Sequence, residues 1–170
     1  MTVTTMRRPP EPSPEPSPGT ESDSDTSAGT PSVTAGVERT AARTSRLRVR
    51  YAETDQMGVV YYANYLVWFE VGRTDWLRQT GWAYRDMERD GISLPVIEAH
   101  CEYRQSALYD DEITVATLAT LVTPIRIRFD YEVSRADHDT VAAVGYTVHV
   151  ALDASGRPRR LPSRVRDMFA

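Results

Sequence analysis

The sequence contains no lysine, and each of its 20 basic residues is an arginine. Chemistry that needs a lysine amine, such as Schiff-base formation, is therefore excluded. Cys101 is the only cysteine, so no disulfide can form within the chain, and we expect a reducing compartment such as the cytoplasm. The three histidines, His100, His138 and His149, have no metal-ligand spacing with Cys101, so we predict no metal site and no cofactor.

Long apolar runs are also missing. No stretch approaches the ~20 apolar residues that a membrane-spanning helix needs, so we predict no membrane span. The net charge of −4 argues against nucleic acid as a general partner.

Aromatic residues are absent from residues 1–44, which hold seven of the 11 prolines. So little apolar surface cannot offset the entropy lost on ordering, and we predict a disordered Pro/Ser-rich tail over 1–44. It is not expected to be a secretory signal, because no apolar run follows Arg7 and Arg8. A docking or phosphorylation arm and a solubilising extension both remain open. One folded domain is predicted over residues 45–170.

The folded part is predicted to contain one long helix, Asn64–Thr80, ended by Gly81. Its apolar residues cover most of the circumference, so we expect other structure to enclose it. Glu70 and Arg73 stand three residues apart and are expected to form an ion pair on its polar side. Asn64 is expected to cap the helix.

Alternation of apolar and polar residues predicts five strands. They are Arg46–Tyr51, Leu94–Gln105, Glu112–Leu121, Ile125–Val133 and Thr140–Leu152, with a turn at 137–139 before the last strand. A short polar helix or a turn is predicted near Ala83–Asp90, and a short basic helix at Leu161–Ala170. Short connections favour antiparallel neighbours, so the predicted fold class is α+β, with one helix against one antiparallel sheet. The open sheet edges lead us to expect pairing between subunits.

A specific residue pattern runs through the loop and the helix. It reads Tyr51-x-x-x-Asp55-x-x-Gly58-Val59-Val60-Tyr61-Tyr62-x-Asn64-Tyr65, followed by Trp68-Phe69-Glu70-x-x-Arg73. This pattern resembles the signature of hotdog-fold acyl-CoA thioesterases of the 4-hydroxybenzoyl-CoA thioesterase type. The resemblance implies a long central helix wrapped by a five-stranded antiparallel sheet, a homodimer or homotetramer, and hydrolysis of an acyl thioester.

By that motif, Asp55 falls at the catalytic carboxylate of the family. It would act either as a nucleophile or as a general base that activates water, and the sequence leaves both open. The resemblance also implies that the backbone N–H of Tyr62, near the helix N-terminus, forms an oxyanion hole. Gly58 is expected to let the loop turn tightly. Gly58, Val59, Tyr61 and Tyr65 are predicted substrate contacts.

A CoA substrate carries phosphates, so we expect arginines at the mouth of the site. The predicted contacts are Arg126 and Arg128, and further candidates are Arg157, Arg159 and Arg160. Many members of the family carry a basic cluster and Ser or Thr at this point, whereas this chain has Thr123-Pro124-Ile125. An acyl-carrier-protein thioester is therefore an alternative substrate. A non-catalytic module that binds acyl thioesters is the alternative from another class.

Overall fold

A computed structural model of the protein describes residues 41–136 and 140–169. The elements in chain order are β1 (Arg43–Arg48), a 3₁₀ turn (Tyr51–Glu53), α1 (Asn64–Gln79), α2 (Tyr84–Arg89), β2 (Val96–Tyr103), β3 (Glu112–Thr123), β4 (Arg126–Arg135), β5 (Thr140–Val150), α3 (Ser163–Arg166) and a second 3₁₀ turn (Asp167–Phe169). The predicted turn at 137–139 and residues 1–40 of the predicted tail lie outside the described residues. β1 begins at Arg43, which is earlier than the predicted first strand and two residues inside the predicted tail.

The five strands form one antiparallel sheet in the order β1-β3-β4-β5-β2. Together with α1, this sheet confirms the predicted α+β hotdog fold. The sheet begins with β1 and ends with β2, so both strands have one unpaired edge within the chain. On β2, Val96 and Ile97 are about half exposed. Pairing of subunits through such an edge stays a prediction.

Helix α1 packs on the sheet through large aromatic side chains. Trp68, Phe69 and Trp76 are buried, and the Phe69 ring stacks on Tyr131 with 4.3 Å between ring centroids. Gly72 lies on the same face. A Cβ atom there would meet Oγ1 of Thr117 at 2.5 Å, so only glycine lets the helix backbone come this close to β3.

One face of α1 is left partly uncovered within this single chain. Leu66 is 41% exposed and Val67 is 47% exposed, because the sheet of one chain covers only the opposite face of the helix. The predicted end of the helix is confirmed. Thr80 is the C-cap residue, and Gly81 follows with a φ of 79°, which lies in the left-handed region that glycine tolerates.

Within residues 41–136 and 140–169, no helix is long and apolar enough to cross a membrane.

Candidate active site

The loop that carries Asp55 is a small hairpin. The Asp55 N–H donates to the Val59 carbonyl at 2.9 Å, and the Gly58 N–H donates to the Asp55 carbonyl at 3.0 Å. Gly58 has a φ of 75°, as the left-handed position of a three-residue hairpin loop requires. A Cβ atom at Gly58 would meet nothing within 4 Å, so the backbone conformation, and not space, explains the glycine here. The prediction that Gly58 enables a tight turn is confirmed.

The Asp55 side chain is half-buried and is held by its own loop. Its Oδ1 accepts a hydrogen bond from the Met57 N–H at 2.8 Å. Among the described residues, Oδ2 has no hydrogen-bond partner. The turn therefore fixes the carboxylate through one oxygen and leaves the other available to a ligand.

Glu53 joins this loop to the start of α1. Its carboxylate is 5% exposed and accepts from the Arg50 N–H at 2.7 Å, from the Arg50 guanidinium at 3.0 Å and from the Trp68 indole at 3.3 Å. Its carbonyl accepts from the Tyr61 N–H and from the Asn64 side chain, both at 2.8 Å. Burial alone would raise the pKa of Glu53, but the hydrogen bonds from Arg50 and Trp68 lower that pKa below its ordinary value. Glu53 is thus a buried, fully engaged anion.

The start of α1 differs from the expectation at Asn64. The N-cap residue is Ala63, and it makes no capping hydrogen bond from its side chain. Asn64 is the first helical residue, and its amide bonds the Glu53 carbonyl instead, so the predicted capping role of Asn64 is wrong. The Asn64 Nδ2 donates to the Glu53 carbonyl, so the side chain ties the helix start to the preceding loop and does not accept from a helix N–H as a cap would.

The free backbone donor lies just before the helix. The N–H groups of Asn64, Tyr65 and Leu66 donate to carbonyls three residues earlier. Within the described part of the chain, the Tyr62 N–H makes no hydrogen bond. The Tyr62 carbonyl, in contrast, accepts from the Tyr103 hydroxyl at 3.2 Å. The peptide N–H predicted as the oxyanion donor is therefore available.

Two tyrosines fix the wall opposite the loop. The Tyr65 hydroxyl accepts from the Ala107 N–H at 3.2 Å, and the Tyr65 ring meets the Tyr103 ring edge-on at 5.2 Å. Burial raises the pKa of Tyr65, and burial is also the main cause that raises the pKa of Tyr103 to about 12. Both side chains are therefore neutral hydroxyls near pH 7.

A cleft of about 330 Å³ brings many of these groups together. Four of the predicted site residues line it: Asp55, Val59, Tyr62 and Tyr65. Tyr61 lies beside it, with its ring centroid 4.4 Å from that of Tyr62. Arg126 and Arg128 do not line this cleft. Arg128 instead bonds Asp130 at 2.6 Å and lies over the Tyr146 ring at 3.7 Å.

Six cleft residues were not predicted as site residues: Met57, Val60, Tyr103, Arg104, Gln105 and Ser106. Met57 and Val60 stand inside the motif, so their place in the loop could have suggested them. The other four come from the end of β2 and the loop after it, which the fold brings beside the Asp55 loop. Glu53 was missed too, although its spacing of three from Arg50 was a signal.

Helix α1 lines a second, separate cavity of about 190 Å³ with β2, β4 and β5. Arg73 lies in its wall and is 8% exposed. The expected ion pair between Glu70 and Arg73 is absent among the described residues, because Arg73 points towards the sheet while Glu70 is exposed. His149, fully buried, lines the same cavity.

The family model of the thioesterase-like superfamily matches residues 49–169. Over 71 residues, the chain is 49% identical to a putative acyl-CoA thioesterase of Bacillus subtilis, with 42% of this chain and 51% of that relative covered. The chain thus spans about half the length of that relative. It is also 34% identical over 124 residues to a putative esterase of Aquifex aeolicus, with 73% of this chain and 94% of that protein covered.

A solved structure gives the same result for the fold. The chain resembles the crystal structure of a DHNA-CoA thioesterase from Staphylococcus aureus with a TM-score of 0.69 and 33% identity. The match covers 74% of this chain and 85% of that one.

Proposed function

The chain belongs to the thioesterase-like superfamily, and from this membership and the geometry of the cleft we propose that it hydrolyses acyl-CoA thioesters to a free acid and CoA. The relative named as a putative acyl-CoA thioesterase and the solved DHNA-CoA thioesterase support this reaction class. One observation carries the proposal. The Asp55 carboxylate and the residue with the free backbone N–H, Tyr62, line the same cleft.

Asp55 supplies the reactive oxygen in this proposal. In one route its free Oδ2 attacks the thioester carbonyl carbon, the C–S bond breaks, and water then hydrolyses the resulting anhydride. In the other route Oδ2 takes a proton from a water molecule that attacks the same carbon. In both routes the sulfur leaves as the CoA thiolate and takes up a proton. The Met57 N–H, which bonds Oδ1, keeps the carboxylate aimed during either route.

The Tyr62 N–H stabilises the developing charge. Attack on the carbonyl places negative charge on its oxygen, and a fixed N–H without another acceptor can bind that oxygen without reorganising. The partial positive charge at the N-terminus of α1 adds to this stabilisation. Because the donor is a backbone group, the Tyr62 hydroxyl is not needed for it.

The nucleotide end of CoA is proposed to lie towards arginines. Arg104 lines the cleft itself and pairs with Glu102 at 3.3 Å, so it places a positive charge at the site. Arg126 and Arg128 remain proposed phosphate contacts on β4, outside the cleft.

The test is thiol release from a panel of aliphatic and aromatic acyl-CoAs by the wild type and by Asp55→Asn. We expect kcat to fall by about 10²-fold or more in Asp55→Asn, because the amide can neither attack nor accept a proton. The matched control is Asp167→Asn, which changes an exposed carboxylate near the C-terminus and should leave kcat unchanged.

A second control distinguishes the backbone N–H of Tyr62 from its side-chain hydroxyl. Tyr62→Phe keeps the backbone N–H and should retain kcat within a few-fold. Activity of Asp55→Asn within a few-fold of the wild type would refute the assigned role of Asp55. If the wild type released no thiol from any acyl-CoA in the panel, the proposed reaction itself would be wrong.

A further inference from the structure

Arg73 is a buried cation on helix α1. It is 8% exposed, and within the part of the chain that the structure describes its buried Nη1 has no hydrogen-bond partner. Among residues 41–136 and 140–169, no carboxylate forms an ion pair with it. Its one favourable contact of note is with the Tyr84 ring, whose centroid lies 5.7 Å from the guanidinium carbon. An unpaired buried charge is costly, so a site that keeps one is suited to an anionic ligand.

The polar neighbours of Arg73 in the cavity are occupied with each other. The Leu94 carbonyl can only accept, so His149 Nδ1 donates to it at 2.9 Å, and His149 Nε2 accepts from the Thr147 hydroxyl at 2.9 Å. The Tyr131 hydroxyl must then donate to Thr147, at 2.8 Å. The side chains of His149, Thr147 and Tyr131 therefore donate all their polar protons to one another or to Leu94. The Arg73 guanidinium is the group in this wall that can still donate a hydrogen bond to a ligand.

The charges around the cavity favour an anion. Burial, with a further contribution from the Arg73 charge, lowers the pKa of His149 to about 4, so His149 is neutral at pH 7. Burial raises the pKa of Tyr131, which is also neutral. Glu70 is the one carboxylate in the lining, and it is exposed at the rim and unpaired with Arg73. The inner wall therefore carries a single charge, and that charge is positive.

The remaining walls are apolar and come from two elements that also line the Asp55 cleft. Leu66, Val96 and Ala99 line the cavity, and all three are exposed. Helix α1 supplies Tyr65 to the cleft and Leu66 and Arg73 to the cavity, while β2 supplies Tyr103 to the cleft and Val96 and Ala99 to the cavity. Tyr65 and Arg73 are eight residues apart, or about 12 Å along the helix. Both sites thus lie along one seam between α1 and β2.

We propose that this cavity binds the far end of an acyl group that carries a carboxylate, with that carboxylate paired to Arg73. The inference rests on the proposed thioesterase function and narrows its substrates to mono-CoA thioesters of dicarboxylic acids. The apolar walls take the methylene chain, and the guanidinium takes the terminal carboxylate, for which its planar donors are matched. The cavity volume of about 190 Å³ corresponds to roughly six water molecules, enough for a carboxylate and a few methylenes.

The test measures binding separately from turnover. Calorimetric titration of Asp55→Asn compares three matched pairs of ligands: adipoyl- with hexanoyl-CoA, suberoyl- with octanoyl-CoA, and sebacoyl- with decanoyl-CoA. In at least one pair we expect the carboxylated member to have a Kd lower by about tenfold or more, as a hydrogen bond between charged groups provides. Both ligands of a pair carry the same CoA, so its contribution to the binding free energy cancels in the comparison of their Kd values.

Variants of Arg73 test whether this residue causes the tighter binding of the carboxylated ligands. Adding Arg73→Met to Asp55→Asn should remove the difference in Kd, whereas Arg73→Lys should retain part of it because the charge remains. Arg78→Met is the matched control, because Arg78 is an exposed arginine on the same helix, and the preference should persist there. In the wild type the same preference should appear in kcat/KM.

The outcomes separate this inference from the proposed function. Equal Kd values within all three pairs in Asp55→Asn would overturn the inference, and that result needs no Arg73 variant to fold. Hydrolysis of every acyl-CoA without preference for the carboxylated members would overturn it too and leave the thioesterase function intact. A preference in Kd without any hydrolysis by the wild type would support the carboxylate site and refute the reaction.

Discussion

Two buried charges lie near or within helix α1 and have opposite surroundings. Glu53, in the 3₁₀ turn that packs beside the N-terminal end of α1, is 5% exposed and accepts hydrogen bonds from Arg50 and Trp68. Arg73, within α1, is 8% exposed, and among the described residues its buried Nη1 has no hydrogen-bond partner. One charge is satisfied by the fold, and the other is not.

The difference separates a structural role from a binding role. A buried charge with a complete set of partners holds its elements together, and Glu53 holds the Asp55 loop against the start of α1. A buried charge without partners costs stability, which a protein accepts where a ligand completes the set. The predictions below test this contrast through the free energy of unfolding.

The largest expected effect concerns acid stability and His149, the neutral neighbour of Arg73. The pKa of His149 is about 4 in the folded chain, against an ordinary value of 6.5. Between these pH values the unfolded chain binds a proton that the folded chain does not, so stability is full above pH 6.5 and falls as the pH drops towards 4. We expect the wild type to lose on the order of 3 kcal/mol across this window.

Urea unfolding at a series of pH values measures this loss. His149→Gln should flatten the curve between pH 6.5 and about 5.5, where most carboxylates have not yet begun to titrate. His100→Gln, which changes an exposed histidine, is the control and should follow the wild type. A decline that is equally steep in His149→Gln would show that His149 is not the group responsible.

The next largest effect concerns Glu53, the buried charge whose hydrogen-bond partners are all present. Glu53→Gln keeps the shape of the side chain but removes the charge that three donors bond, so we expect a loss of about 2 kcal/mol in the free energy of unfolding at pH 7. The pKa of Glu53 is lowered in the folded chain, so this contribution is present above its ordinary pKa of 4.5 and disappears as the pH falls below it.

Chemical denaturation of Glu53→Gln and Glu132→Gln makes the comparison. Glu132 is an exposed carboxylate on β4, and its substitution should change stability by no more than about 0.5 kcal/mol. If both variants lost the same amount, the hydrogen bonds to Glu53 would not be stabilising, and its contrast with Arg73 would fail.

The sequence predicted the elements of the fold well because local patterns determine them. The single helix, its end at Gly81 and the five strands follow from periodicity and turn residues. The exposure of Leu66 and Val67 did not follow, because apolar content shows that a face can be buried but not what covers it. The start of β1 at Arg43 was also missed, since pairing with β3 decides it.

The candidate site was predictable only where the motif runs continuously. Asp55, Val59, Tyr62 and Tyr65 line one cleft as expected. Residues from the end of β2, such as Arg104, reach the cleft through the topology of the sheet, which no local pattern contains. The pairing of Glu70 with Arg73 was wrong for the related reason that spacing on a helix does not show which side chain turns towards the sheet.

The smallest expected effect has the opposite sign to that of Glu53→Gln. In the absence of ligand, Arg73→Met removes an unpaired buried charge and fills the same space with an apolar side chain, so we expect a gain of about 1 kcal/mol in the free energy of unfolding. Loss of the contact with the Tyr84 ring offsets part of this gain. The measurement is urea unfolding at pH 7, where His149 is neutral with or without Arg73.

Arg78→Met is again the control, since its charge is exposed and its removal should change stability by less than about 0.5 kcal/mol. Saturating suberoyl-CoA should then stabilise Asp55→Asn, which does not turn the ligand over, more than the double variant Asp55→Asn/Arg73→Met, because the ligand binds the folded state and supplies the missing anion. Should Arg73→Met lose as much stability as Glu53→Gln, Arg73 would already have a partner in the folded protein. The two buried charges would then be alike, and Arg73 would belong to the architecture and not to a binding site.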